Sequence, residues 1–146
     1  MRQKKTIEDV AKAEMTPRNQ INCSGFVRDV ALAVGEYMPA MQANEMVAYL
    51  AKAPSWEQLG NNDMLASQRA GQGYLVIAGT INPHGHGHVV IIVQGREGRY
   101  ASAYWGALGN ANGRGEGKGI DHAWTHTELH DVQFLAIRSP NLMSDP

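Results

Sequence analysis

Asn22-Cys23-Ser24-Gly25-Phe26-Val27, running on to Gly35, is the stretch on which the reading of this chain turns. Phe26, Val27, Val30, Ala31 and Val34 recur at three- and four-residue steps, which is one apolar face of a helix. Asn22 is the residue type that caps a helix start by accepting a backbone N–H bond, and Gly35 the type that stands just past a helix end. Cys23, the only cysteine, therefore falls in the first turn of an amphipathic helix that packs on a core. Unpaired N–H groups and the positive end of the helix dipole favour a thiolate there. A thiolate at a rigid helix start is a nucleophile that needs a base. Taken by residue type alone, a lone cysteine is more often a small buried hydrophobe, so the remainder of the chain has to decide between the two.

Outward from that helix, helices come first and strands later. Thr6 caps a short helix with Ile7, Val10, Ala11 and Met15 on its inner face, stopped at Thr16-Pro17. Residues 18–21 form a connector whose polar groups lie close to the thiol. A second helix is expected over 43–53, with Met46, Val47 and Leu50 inside and Pro54 closing it. Residues 55–59 read as a short capped turn, Ser55 and Gln58 having capping-box spacing, and 64–70 as one or two helical turns. At Tyr74 the pattern changes. Residues 74–78, 88–93 and 132–137 are short apolar runs of buried-strand type, and 99–105 alternates as a further strand. Residues 94–98 read as a hairpin turn. Segment 106–119 holds six glycines in fourteen residues and predicts a flexible loop, a flap on the substrate side. From Ser139 onward a loose tail is expected. This order predicts an α+β fold, N-terminal helices packed on a small antiparallel sheet, as a single domain over residues 1–146.

Composition narrows the function classes. The 146 residues are 43% hydrophobic and 18% charged, a globular balance with enough chain for a proper core. A net charge of −1 gives no support to nucleic-acid binding, and basic residues are scattered except at Arg2, Lys4 and Lys5. No apolar run reaches membrane-span length. Thr6-Ile7-Glu8-Asp9 follows the basic start in place of a signal core, so synthesis in the cytoplasm without a secretory signal is expected. One cysteine excludes an internal disulfide. Nothing points beyond a monomer.

Six histidines are available as the base: His84, His86, His88, His122, His126 and His130. His88 stands out because it begins the strand run Gly87-His88-Val89-Val90-Ile91-Ile92. A strand start at the sheet rim can present an imidazole to a helix start packed on that sheet, and such pairs meet in space rather than in sequence. The alternation His84-Gly85-His86-Gly87-His88 invites a metal reading. Cysteine and carboxylate partners are missing nearby and a glycine-rich loop is a poor rigid frame, so no metal and no cofactor are assigned. The other histidines read as surface residues, and Trp56, Trp105 and Trp124 as core or as walls of a groove.

The blocks Asn-Cys-Ser-Gly-Phe-Val at 22–27, Gly-Tyr-Leu-Val-Ile-Ala-Gly at 73–79 and Gly-His-Val-Val-Ile-Ile-Val at 87–93 resemble, in that order, the motifs of the NlpC/P60 cysteine peptidases. Those motifs usually begin Asp-Cys-Ser-Gly; Asn22 departs from that. The closer likeness is to the first family of type VI secretion amidase effectors. It is carried by the Cys23 block, by Met38-Pro39 with Ala43-Asn44 and Met46-Val47, by residues 72–79, and by Trp105 with the glycine-rich segment up to Trp124. It covers roughly residues 19–125.

The resemblance implies a papain-like amidase that cleaves peptidoglycan stem peptides between D-glutamate and meso-diaminopimelate. It implies delivery by a type VI secretion apparatus, action in the periplasm of a target bacterium, and a cognate immunity protein. Carried over by position, Cys23 is the nucleophile, His88 the general base, and the Cys23 backbone N–H an oxyanion donor. The member that orients the imidazole is left open among Ser102, Tyr104 and a main-chain carbonyl near 105–107. The alternatives are an inactive relative that binds murein or a partner protein, and a housekeeping cell-wall hydrolase.

Overall fold

The computed structural model describes residues 4–144; Arg2, one of the three clustered basic residues, lies outside them. The elements run α1 (Ile7–Glu14), α2 (Pro17–Gln20), α3 (Cys23–Ala33), α4 (Ala43–Lys52), β1 (Glu57–Gly60), α5 (Asp63–Gly71), β2 (Tyr74–Thr80), β3 (His88–Glu97), β4 (Tyr100–Trp105), β5 (Gly115–Gly119), α6 (His126–Leu129) and β6 (Gln133–Arg138). All strand pairs are antiparallel, in the spatial order β1-β6-β2-β3-β4-β5. This is the α+β arrangement that the order of helical and strand patterns predicts. No helix among the described residues is long and apolar enough to cross a membrane.

Each helix is set by its own residues. Thr6 and Asp9 cap α1 reciprocally, each side chain bonding the other's backbone N–H. Asn22 caps α3 through Oδ1, which accepts from Gly25 N–H at 3.0 Å. Phe26, Val27, Val30 and Ala31 then face inward, fully buried. Gly35 turns the chain at φ +89°, in the left-handed region that a Cβ disfavours. The helix packs across β3. Met46, Val47 and Leu50 bury the inner face of α4, which lies close enough to β2 that a Cβ on Gly79 would stand 2.5 Å from Val47 Cγ2. Each such aliphatic side chain adds about 1.5–3 kcal/mol on burial, so this interface fixes where the start of α4 sits beside α3.

Four expectations are corrected. Residues 55–59 are not a capped turn: Glu57–Gly60 pairs with β6, burying Leu59 and bringing Trp56 inside. The 94–98 region is not a hairpin turn, because β3 runs on to Glu97 with a register shift after Ile92. Gly95, at φ +96°, lies inside that irregular stretch, and Gly98 makes the reversal. Segment 106–119 is not a free flap, since its second half is β5, paired with β4. Its first half is pinned by Trp105, whose indole N–H donates to Gly113 O at 3.0 Å and whose ring leaves room at Gly115 only for a glycine. Nor are residues 139–142 loose; residues 145–146 lie outside the described residues. Ser139 Oγ and Asn141 Nδ2 both donate to Val34 O, an orphan carbonyl at the end of α3, and Leu142 is buried beside Lys5.

Candidate active site

Cys23 is the first residue of α3 and His88 the first of β3, so each stands at the end of its element, where the two elements cross. Both line a shallow cavity of about 220 Å³, together with Trp105, Ala107 and His122. Cys23 also lines a second, larger cavity of about 410 Å³, with Arg18, Asn22, Gln42, Asn44 and His86 among its walls. The thiol therefore sits where two cavities meet, with His88 on the side of the smaller one only. That is the plan of a cleft that holds a chain across a central nucleophile.

The electrostatics differ from the sequence reading at the thiol. Burial pushes the Cys23 thiol above its ordinary range. Backbone N–H groups of Val89, Ser24 and Cys23 aimed at the sulfur pull the other way and do not cancel it. The helix start thus provides the stabilising donors, but in the resting site desolvation outweighs them and the group is a thiol, not a thiolate. Burial acts on His88 as well, pushing it down to about 4, with the charge of Glu128 opposing. The apolar walls doing this are indoles: Trp124 meets His88 edge-on with centroids 5.4 Å apart and Trp105 at 6.4 Å. Trp124 is itself held by an N–H bond to Thr80 Oγ1 at 3.0 Å. Both members of the pair are neutral at neutral pH, the base free to accept and the thiol holding the proton to give.

Sheet register decides among the candidates for orienting the imidazole. Ile92 faces Ala103 and Ile91 faces Tyr104. Side chains alternate along a strand, so His88 shares a face with Ala103 and Trp105, while Ser102 and Tyr104 point to the other. Tyr104 OH is spent on Glu8 Oε2 at 2.9 Å. Neither side chain serves His88. Continued past β4, the same register sets Ala107 opposite His88, which leaves the main chain there as the remaining candidate.

Glycines let the pieces approach. A Cβ on Gly106 would stand 1.9 Å from Asn19 O and 3.0 Å from Asn22 O, and Ala107 N–H donates to Gln20 O at 3.0 Å. The chain after β4 is thus laid directly on the segment that leads into Cys23. Gly106→Ala is expected to cost about 1–3 kcal/mol by overpacking, a fall of roughly 3–10 °C in melting temperature, and to lower turnover by moving Asn22. A variant that melts and turns over like the native protein would show that this contact carries nothing.

Three residues at the cleft escape a reading by type and spacing. Asn44 is one: its Nδ2 donates to Asn82 O and Gly85 O at 2.8 and 3.0 Å and its Oδ1 accepts from Asn82 N–H at 2.9 Å, stapling the loop before His88 to α4. Arg18 and His122 are the others, on the walls of the two cavities. Asparagine and arginine are ordinary surface residues in sequence, and only the fold brings them to the thiol. His84 and His86 are exposed on the stapled loop. The ligand-type side chains that converge are instead Glu97, Asp121 and His122, all exposed, with His122 Nε2 3.1 Å from Glu97 Oε1. That distance is met by a hydrogen bond between the two side chains without any metal, and nothing is assigned to it. His126 and His130 stack edge-on at 5.4 Å along α6 and its cap, away from both cavities.

No family model matches the chain. It is 37% identical over 119 residues to the peptidoglycan amidase Tse1 of Pseudomonas aeruginosa, an alignment that takes in 80% of this chain and 75% of that protein.

Proposed function

The chain belongs to the first family of type VI secretion amidase effectors, the family of peptidoglycan amidase Tse1, and from that premise we propose that it is a cysteine amidase of peptidoglycan stem peptides. The observation that carries the reading is the shared cavity: the one thiol of the chain and a neutral, partly enclosed imidazole line the same small space.

In this mechanism Cys23 Sγ attacks the scissile carbonyl as His88 takes its proton. Starting from two neutral groups, the step creates charge only when substrate is in place. The carbonyl oxygen becomes an oxyanion, and the N–H groups of Cys23 and Ser24 at the start of α3 are the donors near it. The imidazolium then gives its proton to the leaving amine, leaving an acyl-enzyme that water hydrolyses with His88 again as base. Trp105 and Trp124 keep solvent from the imidazole.

The bond we assign is the γ-D-glutamyl–meso-diaminopimelate amide. Delivery into the periplasm of a target bacterium by a type VI secretion apparatus, and a cognate immunity protein that covers the cleft, belong to the same proposal and rest on family membership. Digestion of purified Gram-negative sacculi, read by chromatography and mass spectrometry, tests the core of it. The expected products are fragments ending in D-glutamate with both carboxyl groups free and fragments beginning with diaminopimelate. Cuts at another bond would correct the assignment. Sacculi left intact by the folded protein would overturn the amidase in favour of a binding protein.

A further inference from the structure

Among the described residues, the walls of the two cavities that meet at Cys23 carry one fixed charge. Arg18 lines the larger, and no other described lysine or arginine and no described aspartate or glutamate lines either. Arg18 is also tethered. One of its terminal nitrogens donates to Asp29 Oδ2 at 3.1 Å, and that same oxygen accepts from Asn19 Nδ2 at 2.9 Å. Asn19 is buried and anchored to Glu14 O at 2.8 Å, so the carboxylate that holds the guanidinium is itself held from below. The arginine side chain is 79% exposed, and an ion pair so exposed adds little to stability. The pair engages one corner of the guanidinium and leaves its other N–H donors, among the described residues, for a planar anion.

The two cavities are not equivalent for the reaction. The leaving amine must lie beside the group that protonates it, and His88 lines the smaller cavity but not the larger. The larger cavity, with Arg18, is therefore the acyl side. We infer that Arg18 is a specificity-determining residue that binds the free α-carboxylate of a γ-linked D-glutamyl residue on the acyl side of the scissile bond. A glutamate joined through its γ-carboxyl leaves its α-carboxylate unblocked, three carbons from the carbonyl under attack. An ordinary α-linked residue offers no anion at that place. The inference rests on the amidase reading and extends it to how the isopeptide is recognised.

The test uses two synthetic stem peptides that differ at one group, D-isoglutamate with its free α-carboxylate and D-isoglutamine with the carboxamide. The native protein is expected to favour the carboxylate, with an advantage that shrinks as salt is raised. Arg18→Ala should lose roughly 10- to 100-fold in kcat/KM on the carboxylate peptide and little on the carboxamide, so that the preference collapses. Arg18→Lys should restore part of it. Alkylation of Cys23 by neutral iodoacetamide should proceed at the native rate in both variants, which separates loss of recognition from damage to the site. If native and Arg18→Ala proteins show the same ratio between the two peptides, the carboxylate subsite is wrong while the amidase stands. If the native protein cleaves neither peptide, it is the amidase reading that fails.

Discussion

Cys23→Ala is expected to lower hydrolysis of peptidoglycan by about 10⁴-fold or more, as removal of a covalent nucleophile does elsewhere, and to leave the fold standing. The second half follows from packing. Cys23 is buried, but it lines two open cavities, so removing its sulfur leaves little closed void. The anchors of that corner do not involve the sulfur: Asn22 still caps α3, and Ala107 N–H still bonds Gln20 O. The measurements are the rate of release of new amino groups from sacculi and the melting temperature. Loss of activity at a native melting temperature is the expected pair of results. Activity within tenfold of native in Cys23→Ala would remove the nucleophile from the mechanism altogether. A companion result concerns the resting thiol. Because burial raises it, alkylation by iodoacetamide should be slow at pH 6 and quicken as the solution turns alkaline, rather than being complete below neutrality as a preformed thiolate would give.

That contrast marks where the sequence stops being readable. The cap at Asn22, the apolar face from Phe26 to Val34 and the strand starting at His88 are local patterns, set by residues a few positions apart, and each stands in the structure with nearly the expected bounds. What the sequence does not show is desolvation. A cysteine at a helix start reads as a stabilised thiolate until Val89 and the rest of β3 are laid over it. The glycine-rich segment misleads for a related reason. Glycine signals freedom only where nothing lies against it, and Gly106 and Gly115 are glycines because Asn19 O and the Trp105 ring occupy the space a Cβ would need. Strand β1 has only four residues, and its pairing is supplied by β6, more than seventy positions away. Arg18 is the extreme case. Nothing around it in the chain separates it from any surface arginine, and its standing comes from Asp29, Asn19 and a cavity wall built by four different segments.

His88→Asn is expected to cost 10²- to 10⁴-fold in kcat/KM, the range for loss of a general base, and its pH behaviour separates this role from a structural one. The base works only when neutral. With His88 pushed down to about 4, the imidazole stays unprotonated well below the 6.5 of an ordinary histidine, so the acid limb of kcat/KM should fall near pH 4, with activity level from about pH 5 to 7. A limb centred near 6.5 would mean that the indole walls do not desolvate the ring as the structure has them. Folding should register the same shift. Between pH 6.5 and 4 the unfolded chain binds a proton at His88 that the native protein refuses, so stability rises with pH across this window. It is fully present above 6.5 and is lost as the pH falls through the native value. Between pH 7 and 5 the native protein should lose about 2 kcal/mol from this residue. His88→Asn has no such group and should show a correspondingly smaller loss in urea denaturation at the two pH values. Equal losses in the two proteins would place the depressed titration elsewhere and leave His88 an ordinary solvated imidazole, which could then still be the base but with its acid limb near neutrality.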